Sequence, residues 1–247
     1  MTPSRPTTPP VSRRRFIGAT GTAGIVAAAA AATGLTNVTA ARASEGRDAA
    51  PETAAAALTL LMQGNERWVR GKARHPHQSV SRREHVAPHQ DPFAVVVSCI
   101  DSRVPPEIVF DRGIGDLFVI RTGAQTLDDL VVMGSVEFGP NAYPSARLIF
   151  VLGHARCGAV VASIESIQSN KPAPGHIGAV VDALRPAYQV AIKQRGDLVE
   201  NMVRAQTKLA VQRLKQDPLL RGLIVSHGLK VVGGHYDLDT GRVQVIA

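Results

Sequence analysis

Two strongly apolar runs, each followed by a short polar cluster that contains a cysteine, constrain this chain most. The run 93–98 leads into Cys99-Ile100-Asp101-Ser102-Arg103, and the run 148–152 leads into Gly153-His154-Ala155-Arg156-Cys157-Gly158. Continuous apolar runs of this length are typical of strands buried on both faces of a parallel sheet. Because parallel strands end at a common edge, both polar clusters are expected at the carboxyl edge of one sheet.

The two clusters contain the only cysteines of the chain, Cys99 and Cys157, together with His154. Two thiolates and one imidazole are the ligand set of a catalytic zinc that keeps its fourth position open. Two simpler interpretations are separate buried core cysteines or a single disulfide. Either of them leaves His154 without a role, so the pattern favours a metal site.

The rest of the sequence indicates an α/β fold with a mostly parallel central sheet, flanked by helices and ending in a short edge strand. About 200 residues after position 43 are enough for one domain with a sizeable core. Strands are predicted at 93–98, 117–120, 148–152 and 229–233, with a last strand at 242–246. Amphipathic helices are predicted at 52–70, 128–138, 157–168, 177–194 and 197–214.

The two cysteine clusters also resemble the β-class carbonic anhydrases. The resemblance is carried by residues 99–107 and 153–158, and it extends from about Leu61 to Asp237, which is nearly all of the presumed mature chain. It implies a β-carbonic anhydrase-like fold and a small-molecule substrate. It also implies a homodimer or dimer of dimers, with an N-terminal helix lying on the partner and the pocket at the subunit interface.

By this resemblance Cys99, His154 and Cys157 hold one Zn²⁺ per subunit, and Asp101 and Arg103 form a catalytic pair. The implied reaction is reversible hydration of CO2 to bicarbonate and a proton by a zinc-bound hydroxide, which Asp101 orients while Arg103 holds the carboxylate. The activity is therefore that of a carbonic anhydrase, a zinc lyase.

Some family members also adopt an inactive closed form, in which the aspartate takes the fourth zinc position. In members that close under bicarbonate control, a tryptophan precedes the first cysteine by three residues. That position is Val96 in this chain. We therefore expect an open site, with Asp101 as a metal ligand only in a closed form.

Four further positions match substrate-binding residues of the family. Gln90 matches a glutamine that hydrogen-bonds substrate, and Phe118 and Phe138 match residues that line the CO2 pocket. Gly158 is expected to present its backbone N–H to the substrate.

The chain departs from the family pattern at one place. Many relatives read R-V-A-G-N where this chain reads R-T-G-A-Q at 121–125. The change removes an apolar side chain at Gly123 and substitutes Gln125 for asparagine, which is expected to reshape the pocket. Two alternative functions stay open at this point: hydrolysis of COS or CS2 on the same scaffold, and a non-catalytic zinc-binding domain.

The N-terminus resembles a twin-arginine export signal. Residues 12–18 read S-R-R-R-F-I-G, a weakly apolar stretch follows at 19–35, and an A-x-A site occupies 41–43. We therefore expect a signal peptide at 1–43, a catalytic domain at 44–247, and export to the periplasm or the exterior. The alternatives are a basic tail or an uncleaved anchor, although the stretch is less apolar than most spanning helices.

Charge supports this division of the chain. The 247 residues include 28 basic and 20 acidic side chains, and the first 43 contain five arginines and no acid. The remainder thus carries 23 basic and 20 acidic residues, a net charge of +3. No basic stripe or recognisable nucleic-acid-binding module is evident, so no nucleic-acid partner is expected. No stable membrane insertion is expected after processing.

Overall fold

The computed structural model describes residues 50–247, which build a single five-stranded sheet flanked by helices. The strand order is β2-β1-β3-β4-β5, with parallel pairing among the first four strands and antiparallel pairing of the last. The strands are β1 (Ala94–Cys99), β2 (Leu117–Thr122), β3 (Leu148–His154), β4 (Lys230–Tyr236) and β5 (Val243–Val245). The predicted fold class is confirmed.

Eight α-helices precede or connect these strands within the described residues. They are α1 (Ala54–Val69), α2 (Val80–Val86), α3 (Pro106–Val109), α4 (Leu130–Ala142), α5 (Gly158–Ser169), α6 (Ile177–Ala191), α7 (Leu198–Gln216) and α8 (Pro218–His227). A single 3-10 turn, Gly123–Gln125, follows β2. No helix between residues 50 and 247 has the length and apolar character needed to cross a lipid bilayer. The predicted export signal and its cleavage site lie outside the described residues.

The core forms on both faces of the sheet because β1 and β3 are apolar over most of their length. Every residue of these two strands is buried. One face packs against α1 and the end of α3 through Leu61 and Phe110, and the other packs against α7 and α8 through Val211 and Leu220. A third cluster joins α5, α6 and α7 around the two cysteines. The carboxyl ends of β1 and β3 are therefore enclosed by packed helices.

The predicted strands all exist, but several boundaries and helices differ from the sequence-based expectation. β2 continues to Thr122 and β3 to His154, so the polar residues after each apolar run still belong to the ladder. The helix predicted at 128–138 runs from Leu130 to Ala142 instead. Three helices were missed. One of them, α8, has a clear start in Asp217, which accepts from the N–H of Leu220, and a left-handed Gly228 at its end.

Asp111 joins three segments on the α1 side of the sheet. Its carboxylate accepts a hydrogen bond of 2.6 Å from Nε of Arg67 on α1, and further bonds from the backbone N–H groups of Arg74 and His75. Burial raises the pKa of Asp111, but the bonds from Arg67 and the two amides outweigh it, so the pKa lies below its usual value. The carboxylate is thus buried as an anion that is fully paired.

We expect Asp111→Asn to lower the free energy of unfolding at neutral pH by about 3 kcal/mol or more, because it leaves the Arg67 charge without its partner. The native pKa of Asp111 is depressed. Its contribution is therefore complete above the usual aspartate pKa of about 3.9 and is lost as the pH falls through the native value. Urea unfolding at pH 7 and pH 3 measures both effects.

The matched control is Asp128→Asn, which removes an exposed carboxylate paired with Arg213. This change should cost less than about 1 kcal/mol. Equal losses in the two variants would contradict the role given to Asp111.

Candidate metal centre

The sheet brings Cys99, His154 and Cys157 together at its carboxyl edge. Cys99 is the last residue of β1, His154 is the last residue of the neighbouring β3, and Cys157 is the N-cap of α5. One ligand atom from each lies within 4.8 Å of the other two, and all three residues are buried. In residues 50–247 this is the one group of three or more such side chains that could hold a metal ion.

The distance between the two sulfurs fits a shared metal ion. Sγ of Cys99 and Sγ of Cys157 lie 3.8 Å apart, and both cysteines are free. In a tetrahedral site with Zn–S bonds of about 2.3 Å, the two sulfurs are separated by about 3.8 Å. The disulfide alternative is therefore wrong for this structure.

The imidazole of His154 presents one nitrogen to the same point. Its Nδ1 lies 3.0 Å from the carbonyl oxygen of Ala155, so Nδ1 carries the proton and donates it. Its Nε2 is buried and has no hydrogen-bond partner among the described residues. A buried polar nitrogen without a partner is costly, and metal ligation satisfies it. The residues present therefore fit a zinc ion.

A backbone amide and a helix N-terminus lie beside the sulfurs. The N–H of Ala124 donates to Sγ of Cys99 at 3.4 Å. Cys157 is the N-cap residue of α5, so the positive end of that helix lies next to its sulfur. Such donors stabilise negative sulfur, as helix N-termini commonly do.

The pKa values of the two thiols are shifted in opposite directions. The hydrogen bond from the Cys157 thiol, with smaller contributions from His154 and the nearby amides, lowers the pKa of Cys99 to about 4. The same hydrogen bond, together with burial, raises the pKa of Cys157. One sulfur of the pair is thus an anion at neutral pH, and it is a ready ligand for a cation.

Asp101 and Arg103 form a two-point ion pair beside the cysteines. Nε and Nη2 of Arg103 donate to the two carboxylate oxygens at 2.9 and 2.7 Å, and the backbone N–H of Arg103 donates to Oδ1 as well. These bonds lower the pKa of Asp101 to about 2. Oδ2 of Asp101 lies 3.9 Å from Nε2 of His154. An ionised carboxylate therefore borders the candidate metal position.

Three of the four predicted substrate residues form a separate group at the other end of the sheet. Nε2 of Gln90 donates to the hydroxyl of Tyr143 at 3.0 Å, and the Tyr143 ring lies 5.2 Å from Phe118 and 6.0 Å from Phe138. Phe118 pairs with Val95, four residues before Cys99, a separation of roughly 13 Å along the strand. A single chain does not bring this aromatic cluster to the cysteines.

Gly158, the fourth predicted residue, does lie at the site. It is the first residue of α5, directly after Cys157, and it is exposed. A Cβ added there would meet no atom within 4 Å. The space where a side chain would stand at Gly158 is therefore open.

Two arginines at the site were not singled out by the sequence. Nε and Nη2 of Arg121 donate to the carbonyl oxygens of Cys99 and Asp101 at 2.8 and 2.6 Å, so Arg121 holds the loop that carries both residues. Arg156 makes a two-point ion pair with Asp239 in the turn after β4. The one available signal for Arg121 was a charged residue within the apolar run of β2.

The chain is similar in sequence to one protein family and to several of its characterised members. Residues 94–243 match the family model described as carbonic anhydrase. The chain is 37% identical over 188 residues to carbonic anhydrase 2 of Mycobacterium tuberculosis. The aligned region covers 76% of this chain and 90% of that protein. It is 34% identical over 195 residues to the carbonic anhydrase of Mycolicibacterium smegmatis, covering 77% and 92% of the two chains.

Among solved structures, the fold is similar to that of a tetrameric β-carbonic anhydrase from Sordaria macrospora. The TM-score is 0.62 at 22% identity, over 77% of this chain and 96% of that one. At this level of identity the similarity concerns the fold.

Proposed function

The chain belongs to the carbonic anhydrase family, in its β class, and we propose that it interconverts CO2 and bicarbonate at one zinc ion held by Cys99, His154 and Cys157. The observation that carries this proposal is the convergence of two free sulfurs and one unpartnered imidazole nitrogen within 4.8 Å. The comparisons give no support to hydrolysis of COS or CS2, nor to a non-catalytic domain.

When bound, the zinc ion would supply a Lewis acid that makes a water molecule acidic enough to act as a nucleophile at neutral pH. Two thiolates already neutralise the ion's charge, so this acidification is weaker than at an all-histidine site. The surrounding residues must therefore assist the removal of the proton and the orientation of the oxygen.

Asp101 provides this assistance. Because Arg103 keeps its carboxylate ionised, Asp101 can only accept hydrogen bonds, and it therefore selects the orientation in which the nucleophile's O–H points toward it. A lone pair of the same oxygen is then free to face the carbon of CO2. We propose that the N–H of Gly158, an exposed residue next to Cys157, binds the substrate and that the released proton passes to buffer.

The ion pair between Asp101 and Arg103 also supports an open site. Nε, Nη2 and the backbone N–H of Arg103 all donate to the carboxylate, at 2.7 to 2.9 Å, which opposes rotation of Asp101 onto the metal. Val96 is a fully buried core residue of β1, and we propose that it builds no effector pocket.

We expect Asp101→Ala to lower the rate of CO2 hydration by roughly a hundredfold or more, because the nucleophile loses its orienting acceptor. Zinc content should stay at one ion per chain. Stopped-flow hydration assays and metal analysis on the same samples measure the two quantities.

The control is Asp182→Ala, which removes an exposed aspartate that pairs with Arg185 on α6. It should leave both quantities unchanged. Full activity in Asp101→Ala would refute the assigned role, and absence of zinc from the wild-type chain would refute the metal site.

We further propose that a second copy of the chain completes the substrate pocket by forming a homodimer. β2 is an edge strand of apolar sequence, and all six of its residues are only partly buried. Beside it, α4 exposes Leu130, Val131 and Phe138. Long apolar edges of this kind are normally covered, since they otherwise promote aggregation. Covering them with a second copy would give the aromatic cluster access to a neighbouring metal site.

Phe138→Glu should convert the dimer to a monomer and reduce activity at least about tenfold, because it places a charge in the proposed interface. Sedimentation equilibrium and hydration assays measure the two effects. Val225→Glu is the control, since Val225 is 83% exposed and belongs to α8 rather than to β2 or α4. A dimeric, fully active Phe138→Glu protein would contradict the proposal.

Finally, we propose that residues 1–43 direct export of the folded domain 44–247 by the twin-arginine route. The charge pattern supports this, because the segment holds five arginines and no acid. Transport in the folded state would allow zinc to occupy the reduced thiols before they meet an oxidising compartment.

Replacing Arg13 and Arg14 by lysine should therefore retain the protein in the cytoplasm of a host that has this export machinery. Cell fractionation with immunodetection measures the distribution. Arg5→Lys, outside the arginine pair, should be exported normally. Undiminished export of the double variant would refute the proposed route.

A further inference from the structure

The turn after β2 has an unfavourable backbone conformation at two successive residues. Ala124 has φ 51° and Gln125 has φ 48°, both in the left-handed region, and both residues are buried. Residues other than glycine occupy this region at a cost, and surrounding contacts must compensate for it. The contacts made by this turn should therefore explain why the conformation persists.

The conformation aims one backbone amide at a cysteine. The N–H of Ala124 donates to Sγ of Cys99 at 3.4 Å, across the pairing between β1 and the turn that follows β2. A donor at this position stabilises negative charge on the sulfur and restricts where the sulfur can lie.

The side chain of Gln125 attaches this turn to helix α7. Its Nε2 donates to Oγ1 of Thr207 at 3.2 Å, and Thr207 in turn donates to the carbonyl oxygen of Val203 at 3.0 Å. Gln125 is 2% exposed and Thr207 is fully buried. Water therefore does not compete for this hydrogen bond, and the turn is fixed to a rigid element.

The same two side chains press against the strand that carries His154. A Cβ added at Gly153 would lie 2.2 Å from Oγ1 of Thr207 and 3.2 Å from Nε2 of Gln125. The backbone of Gly153 thus contacts both partners of the hydrogen bond, one residue before His154. The hydrogen bond between Gln125 and Thr207 therefore lies next to two backbone segments, the turn that bonds Cys99 and the residue that precedes His154.

We propose that Gln125 and Thr207 are a positioning pair that sets the geometry of the metal site. They hold the Ala124 N–H on Cys99, and they fix the backbone next to His154. This inference rests on the proposed function, because it takes Cys99 and His154 as zinc ligands. Neither side chain touches the reacting atoms, so the pair acts through the ligands.

The test measures zinc affinity by chelator competition on metal-free protein. Gln125→Leu and Thr207→Val each remove the hydrogen bond while keeping most of the side-chain volume, and each should weaken zinc binding about tenfold. The double variant should bind no more weakly than either single variant, since both changes break the same bond. Thr207→Val is a near-isosteric change, and it alone decides the question if the leucine variant does not fold.

A spectroscopic measurement separates positioning from general loss of stability. In the cobalt-substituted protein, the sulfur-to-metal charge-transfer band depends on the electron density of Cys99, so it should shift in both single variants. Gln125→Asn should behave like Gln125→Leu. Asparagine tolerates the left-handed backbone well, but its side chain is too short by one methylene to reach Thr207.

The control is Ser145→Ala, which removes a hydrogen bond of 2.9 Å to the carbonyl oxygen of Pro92, before the start of β1. It should change neither zinc affinity nor the cobalt spectrum. Wild-type affinity and spectrum in Thr207→Val, or additive losses in the double variant, would overturn the positioning pair. Failure of the wild-type chain to bind zinc would instead overturn the proposed function.

Discussion

The parallel pairing of β1 with β3 is the constraint on which the site depends. Their ladder aligns Ser98 with Leu152, so Cys99 and His154 follow at the same edge, about one strand spacing apart. Backbone hydrogen bonds and complete burial fix this register, because a slip of one residue would turn every core side chain to the wrong face. Cys157 then needs only the tight turn that starts α5 to join them. The convergence of these three side chains is thus a consequence of sheet formation.

The sequence was sufficient for the parts of the structure that local pattern determines. Apolar runs located the strands, and the three candidate ligands drew attention because they lie at or just after the ends of those runs. The bond between Gln125 and Thr207 joins residues 82 positions apart, and no periodicity marks either of them. Asp111 was likewise missed, because its stabilising role depends on an ion pair with Arg67, which is distant in sequence. Helix α8 is different: its Asp-Pro start and glycine end are visible in the sequence, but no element was predicted between the helix at 197–214 and the strand at 229–233.

The two ends of the sheet differ in completeness. At the carboxyl edge, the three candidate ligands are buried, and the carboxylate of Asp101 and the sulfur of Cys99 find hydrogen-bond donors within one chain. At the amino end, the group of Gln90, Phe118, Phe138 and Tyr143 makes its own contacts yet leaves Phe138 56% exposed beside an apolar edge strand. A large aromatic side chain in such a position is typical of an interface. The polar group at the carboxyl edge is therefore largely enclosed within one chain, whereas the aromatic group at the amino end is left partly open.

Charge compensation explains why a backbone amide is directed at the sulfur of Cys99. An anionic thiolate in a buried site needs a donor that does not itself compete as a charged group, and the amide of Ala124 in the Gly123–Gln125 turn meets that need. The guanidinium of Arg103 is committed to Asp101. This pairing keeps the carboxylate of Asp101 ionised beside the two sulfurs. The strained backbone at Ala124 is then understandable, because relaxing it would withdraw a neutral donor from Cys99.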